Sequence, residues 1–186
     1  MTVTELLERI RHFYLTRFKQ EIDDQRKNGF ETIFEPELLD KSGLTITEGF
    51  FETPYRNDLF VLSDNKPIES IMVDTESKLS FNSVTLQWTD SLTVTIEPFQ
   101  WNHLTIEFED NNKDSDWTPI KNWFNDSFKE KINTGEFKLV VHYISDPYKV
   151  DNKQLVDIDL GSGTIEDFEN LLDSLDKMNL TNVTVK

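Results

Sequence analysis

The stretch VDIDLGSGTIE, Val156 to Glu166, decides how this chain is read. An apolar, Asp-punctuated run meets Gly-Ser-Gly, and a helical pattern begins directly after it. Thr164 stands at a capping position with Asp167 three residues on, the spacing of a reciprocal cap. Ile165, Phe168, Leu171, Leu172, Leu175 and Met178 then recur at helical intervals, which predicts a helix over about 164–178. A last alternating run, Leu180 to Val185, predicts a strand. Strand, turn, helix and strand make a β-α-β unit, and it is right-handed if its two strands are parallel neighbours.

Upstream, the period changes to two. Val84, Leu86 and Trp88, then Leu92, Val94 and Ile96, then Leu104, Ile106 and Phe108 read as three strands of an antiparallel meander. A three-residue loop, Thr89 to Ser91, pairs Trp88 with Leu92, Leu86 with Val94 and Val84 with Ile96. Continuing the rows to Phe108, Ile106 and Leu104 leaves one apolar and one polar face. The segment Leu59–Val73 reads as two more strands around a turn at residues 64–66. Before it, Thr2 and Glu5 open a long N-terminal helix with Val3, Leu6, Leu7, Ile10, Phe13, Tyr14, Phe18 and Ile22 on one side, stopped by Asn28-Gly29. A further helix is expected over about 117–132, capped by Thr118, with Pro119 first and Gly135 last. Glu136 to Ser145 is apolar on both faces and reads as a central strand. The expected fold is α+β: an antiparallel-rich sheet, a long N-terminal helix, two further helices and a C-terminal β-α-β unit, in one domain spanning 1–186.

Composition narrows the function. Net charge is −16, which works against binding nucleic acid through phosphates and against anionic membranes, and favours a basic partner. There is no cysteine, so disulfides, thiolate catalysis and cysteine-held zinc are excluded. No run approaches the length of a membrane span, and a cytoplasmic location is expected.

DIDLGSGT resembles the first motif of class I methyltransferases, with Asp159, Gly161 and Gly163 at the motif's positions. The resemblance implies a loop holding the amino-acid end of S-adenosylmethionine. It covers about eight residues, and the pattern departs from the family's: Ile165 stands where a third glycine belongs, and only one helix and one strand follow. A dinucleotide fingerprint fails for the same reason. An EF-hand starting at Asp157 fails because Phe168 takes the bidentate glutamate's place. The expectation is a strand-to-helix hinge, with no cofactor.

Four groups of residues are candidates for chemistry or contact. Glu97 and His103 face each other in the proposed register and form an acid-base pair on the polar sheet face. Trp101, at the turn between them, is a candidate contact residue. Asp157 and Asp159 alternate at a strand end where Mg²⁺ could bind weakly. The histidines, His12, His103 and His142, are far apart in sequence and match no metal motif, so no metal is expected. Glu166, Glu169, Asp173 and Asp176 repeat on the outer side of the predicted third helix and form the expected partner-binding face. The leading expectation is a non-catalytic, acidic protein-binding module for a basic protein, similar in general type to bacterial immunity proteins. The alternatives are a small hydrolase-like enzyme using Glu97 and His103, and a self-associating scaffold.

Overall fold

A computed structural model of the chain describes residues 1–64, 66–73, 77–109, 116–131 and 136–186. Helix α1, Val3–Lys27, starts at the expected reciprocal cap: Glu5 N–H donates to Thr2 Oγ1, and Thr2 N–H donates to Glu5 Oε2. Its buried face is Leu6, Leu7, Ile10, Tyr14, Phe18 and Ile22, the spacing that wraps one side of a helix. Gly29, at φ +86°, turns the chain out of the helix. The next strands form a three-stranded antiparallel sheet in the order β1 (Glu31–Phe34), β4 (Leu59–Ser63) and β5 (Lys66–Ile71). The expected hairpin is there, although Asn65 of its turn lies outside the described residues. Two short strands, β2 (Thr47–Glu48) and β3 (Thr53–Pro54), pair with each other in the segment between β1 and β4.

The larger sheet contains β6 (Val84–Gln87), β7 (Thr93–Ile96), β8 (Leu104–Glu109), β9 (Tyr143–Ile144), β10 (Tyr148–Val150), β11 (Lys153–Asp159) and β12 (Asn182–Val185). The order is β10-β11-β8-β12-β7-β6, with β9 on the same edge of β11 as β10. The β6–β7 register is the expected one, with Leu86 opposite Val94 and Val84 opposite Ile96. The continuous meander is not. β12 lies between β7 and β8, parallel to the first and antiparallel to the second. The rows become Val94–Val183–Phe108 and Ile96–Val185–Ile106. The connection from Ile96 to Leu104 is longer than a tight hairpin loop, so it can splay the two strands and admit a third. The face assignment survives because each replacement keeps the alternation. For the same reason the strand-helix-strand unit exists, but β11 and β12 are separated by β8.

Helix α3, Ile165–Lys177, has the Thr164–Asp167 reciprocal cap and buries Phe168, Leu171, Leu172 and Leu175. It packs against α2, Thr118–Ser127. That helix is shorter than expected: Trp117 holds the capping position without a side-chain bond, and Thr118 and Pro119 begin the helix. Trp123, absent from the expected stripe, is buried and donates its indole N–H to Asp167 O at 2.8 Å. Ile132 and Gly135, which the longer helix needed, lie outside the described residues, as does most of the acidic run 107–116. The expected central strand over 136–145 is corrected to a two-residue edge strand. Its apolarity reflects burial of Val140 and Val141 in irregular backbone, which Leu139, at φ +59°, re-aims. Among the described residues no helix is long and apolar enough to cross a membrane.

Candidate functional site

The polar sheet face carries the first candidate pair. Glu97 and His103 line one surface cleft of about 600 Å³ with Lys78, Ser80, Thr105 and Lys186. They are not cross-strand partners, because β12 runs between β7 and β8. Glu97 N–H donates to Val185 O, and Lys186 exchanges backbone bonds with Thr105. Among the described residues no hydrogen bond or ion pair joins Glu97 to His103. Trp101 is 1% exposed, a correction to its expected place as a contact residue. Its ring stacks with Phe168 at 6.0 Å, and Phe99 stacks on the same Phe168 at 5.9 Å. Folding it inward adds aromatic area to the core, which outweighs any contact role.

The acidic face of α3 divides. Glu166 is exposed and Glu169 half-buried. Asp173 accepts the Trp88 indole N–H at 2.8 Å. Asp176 Oδ1 accepts the hydroxyls of Thr89 at 2.9 Å and Ser91 at 2.6 Å. Those two carboxylates pin the β6–β7 turn to the helix.

The Gly161-Ser162-Gly163 turn covers a different centre. Gly161, at φ +50°, crosses so close to His142 that a Cβ there would collide with the imidazole. Arg11 of α1 donates to Gly163 O at 2.6 Å and Ser162 O at 2.9 Å. Two bonds tie Ser162 down: its N–H donates to Glu35 Oε1 at 3.1 Å, and its Oγ accepts Val140 N–H. His142 is fully buried, with three carboxylates around its ring. Nε2 lies 2.9 Å from Glu35 Oε1; Nδ1 lies 3.1 Å from Asp58 Oδ1 and 3.6 Å from Asp159 Oδ2. Each carboxylate is held from behind. Val73 N–H donates to Asp58 Oδ2 at 2.7 Å, Tyr14 O–H to Asp58 Oδ1 at 2.8 Å, Gly161 N–H to Asp159 Oδ1 at 2.7 Å, and Lys138 N–H to Glu35 Oε2 at 2.7 Å.

Burial alone would discharge such groups. For His142 burial lowers the pKa, but Asp159, Asp58 and Glu35 overcome it and hold the imidazole well above the ordinary histidine value. Burial raises Glu35, and the His142 hydrogen bond and charge, together with the bonds from Ser162 and Lys138, outweigh that and leave the carboxyl below its usual range. Asp159 goes up, because burial exceeds what His142 returns. Tyr14 goes well above its usual value through burial and the carboxylates Asp58 and Asp159. Asp58, His142 and Asp159 present one ligand atom each within 4.8 Å of one another.

Of this centre the sequence reading held only Asp159 as a potential ligand. Glu35, Asp58 and His142 stand just outside β1, β4 and β9, far apart in sequence, so no spacing rule joins them. The available signal was a lone histidine inside the apolar run Leu139–Ile144, where a neutral core residue would be cheaper.

The exposed apolar side chains concentrate elsewhere. Phe30, Ile33, Leu39, Leu44, Phe50, Ile68 and Met72 are all exposed, and all lie between residues 30 and 72. Ile33, Phe60 and Ser70 form one cross-strand row on the outer face of the small sheet. Ile68 and Met72 flank Ser70 at two-residue spacing, and Glu31 shares the face of Ile33, whereas Glu69 pairs with buried Val61 on the other face. The chain has no significant match among protein-family models, curated proteins or solved structures.

Proposed function

We propose that this protein is an acidic, non-catalytic binding module for a basic protein, of the immunity or regulatory kind, acting in the cytoplasm. The observation that carries this reading is the apolar outer face of the β1-β4-β5 sheet. Ile33, Ile68 and Met72 are 43%, 56% and 61% exposed, with Glu31 on the same face as Ile33. Apolar anchors with charge beside them are what a specific interface uses, the anchors for affinity and the charge for orientation and on-rate. The chain's −16 charge sets the sign of the partner. Glu166 and Glu169 on α3 add to the steering field, whereas Asp173 and Asp176 are engaged within the chain.

Stoichiometric capture from native lysate by the full chain tests the reading. A basic partner should be retained by wild type, lost by Ile33→Glu and Met72→Glu, and recruited more slowly as salt rises. Capture that survives both substitutions sinks the assignment to this face. Self-association in light scattering that Met72→Glu abolishes would make the occupant a second copy instead.

A further inference from the structure

The carboxylates around His142 do not complete the hydrogen bonding of its ring. Nδ1 is a fully buried nitrogen with no hydrogen-bond partner among the described residues, even though Asp58 Oδ1 lies 3.1 Å away. Asp58 Oδ1 stands off the direction in which a ring N–H would point, and Asp159 Oδ2, at 3.6 Å, lies beyond hydrogen-bond reach. A proton wants its acceptor on that axis; a metal ion sits on the axis and takes its other ligands to the sides. We infer that His142 Nδ1, Asp58 Oδ1 and Asp159 Oδ2 form a binding site for one divalent first-row transition ion, Zn²⁺ first.

The distances fit. Bonds of about 2.0–2.2 Å place neighbouring ligand atoms about 3.0–3.6 Å apart in octahedral or tetrahedral sites. Nδ1 lies 3.1 and 3.6 Å from the two oxygens, and all three atoms fall within 4.8 Å. The surroundings fit as well. Glu35 takes Nε2–H, the carboxylate-to-histidine support that leaves Nδ1 as the ligand and raises its basicity. Val73 and Gly161 N–H groups each hold one carboxylate oxygen back, which turns Asp58 Oδ1, also an acceptor from Tyr14 O–H, and Asp159 Oδ2 toward Nδ1. An imidazole among the ligands selects transition ions over Ca²⁺ and Mg²⁺. Asp159 keeps 13% of its side chain exposed, which gives an ion a way in. Three carboxylates around one imidazole leave negative charge in a dry interior, and a dication offsets more of it than a proton does. The site joins Asp58 beside β4 to His142 beside β9 and Asp159 on β11, so the ion cross-links the two sheets. None of this depends on the partner-binding reading.

The test titrates the chelator-stripped full chain with Zn²⁺, and separately with Mn²⁺, Ca²⁺ and Mg²⁺, by calorimetry and thermal unfolding. Zn²⁺ is expected to saturate at one ion per chain and raise Tm, with little response to Ca²⁺ or Mg²⁺. Asp159→Asn keeps an acceptor for Gly161 N–H and is expected to weaken Zn²⁺ at least tenfold; His103→Gln and His12→Gln should leave it unchanged. If Asp159→Asn does not fold, paramagnetic Co²⁺ gives the same reading on wild type. Of the three imidazoles, only that of His142 should shift. The inference is overturned by no saturable Zn²⁺ binding, by an alkaline-earth preference, by binding that His103→Gln or His12→Gln removes, or by Co²⁺ shifts on either of those rings.

Discussion

Two regions of this molecule place a histidine near carboxylates, and they behave differently. On the polar sheet face, His103 is exposed and shares an open cleft with Glu97 without bonding to it. Under the Gly-Ser-Gly turn, His142 is buried and touches Glu35, Asp58 and Asp159. The residue types are the same; the dielectric and the fixed positions are not. In water a pair like the first interacts weakly, while in the interior each group controls the charge of the others.

Removing one partner should expose that contrast most strongly. His142→Ala leaves three carboxylates facing a cavity, and equilibrium denaturation should show a loss of about 3–5 kcal/mol. The same change at His103 should stay within about 0.5 kcal/mol, as should Glu97→Gln. Comparable losses at both histidines would break the comparison. Next in size is Gly161→Ala. Its methyl group meets the His142 ring at a left-handed φ, so a loss of roughly 2–4 kcal/mol is expected from overpacking and backbone strain together. Gly43 is also left-handed, at φ +83°, but has open space around it, so Gly43→Ala should cost only the backbone part, about 1–2 kcal/mol. Smaller again is Trp88→Phe, which keeps one aromatic ring of the indole's two and deletes the donor to Asp173. About 1 kcal/mol should be lost in chemical denaturation.

The smallest effect lies at the carboxylates bridged by lysine and arginine. Hydrogen bonds from Lys153 and Lys186 hold Glu107 below the ordinary glutamate value, and Lys19 and Arg26 do the same for Glu136. A depressed folded pKa means that the unfolded chain binds more protons in that window. The stabilisation is therefore complete above the unfolded value of about 4.3 and fades as pH falls through the folded one. Unfolding curves taken from neutral pH downward should steepen in acid. Glu136→Gln should flatten that dependence slightly, and an unchanged acid slope would remove Glu136 from the account.

The local signals were legible for a physical reason. Both reciprocal caps, Thr2 with Glu5 and Thr164 with Asp167, are decided within three residues. The Leu86–Val94 register follows from a short turn and the alternation beside it. The hinge reading of Gly-Ser-Gly was right in kind but silent about the cause, which is the imidazole beneath Gly161. The apolar run before β9 read as a strand because period-two burial and irregular burial look alike over a few residues.

What the sequence by itself determined is therefore the α+β class, the starts of α1 and α3, the two-faced character of the large sheet and the sign of the surface charge. These rest on neighbours along the chain and on composition. Only the tertiary structure decided that β12 enters between β7 and β8, that Trp101 turns inward, and that Glu35, Asp58, His142 and Asp159 meet. Those outcomes depend on which distant edges and side chains satisfy one another once water is excluded. That competition among long-range contacts leaves no fixed spacing in the sequence.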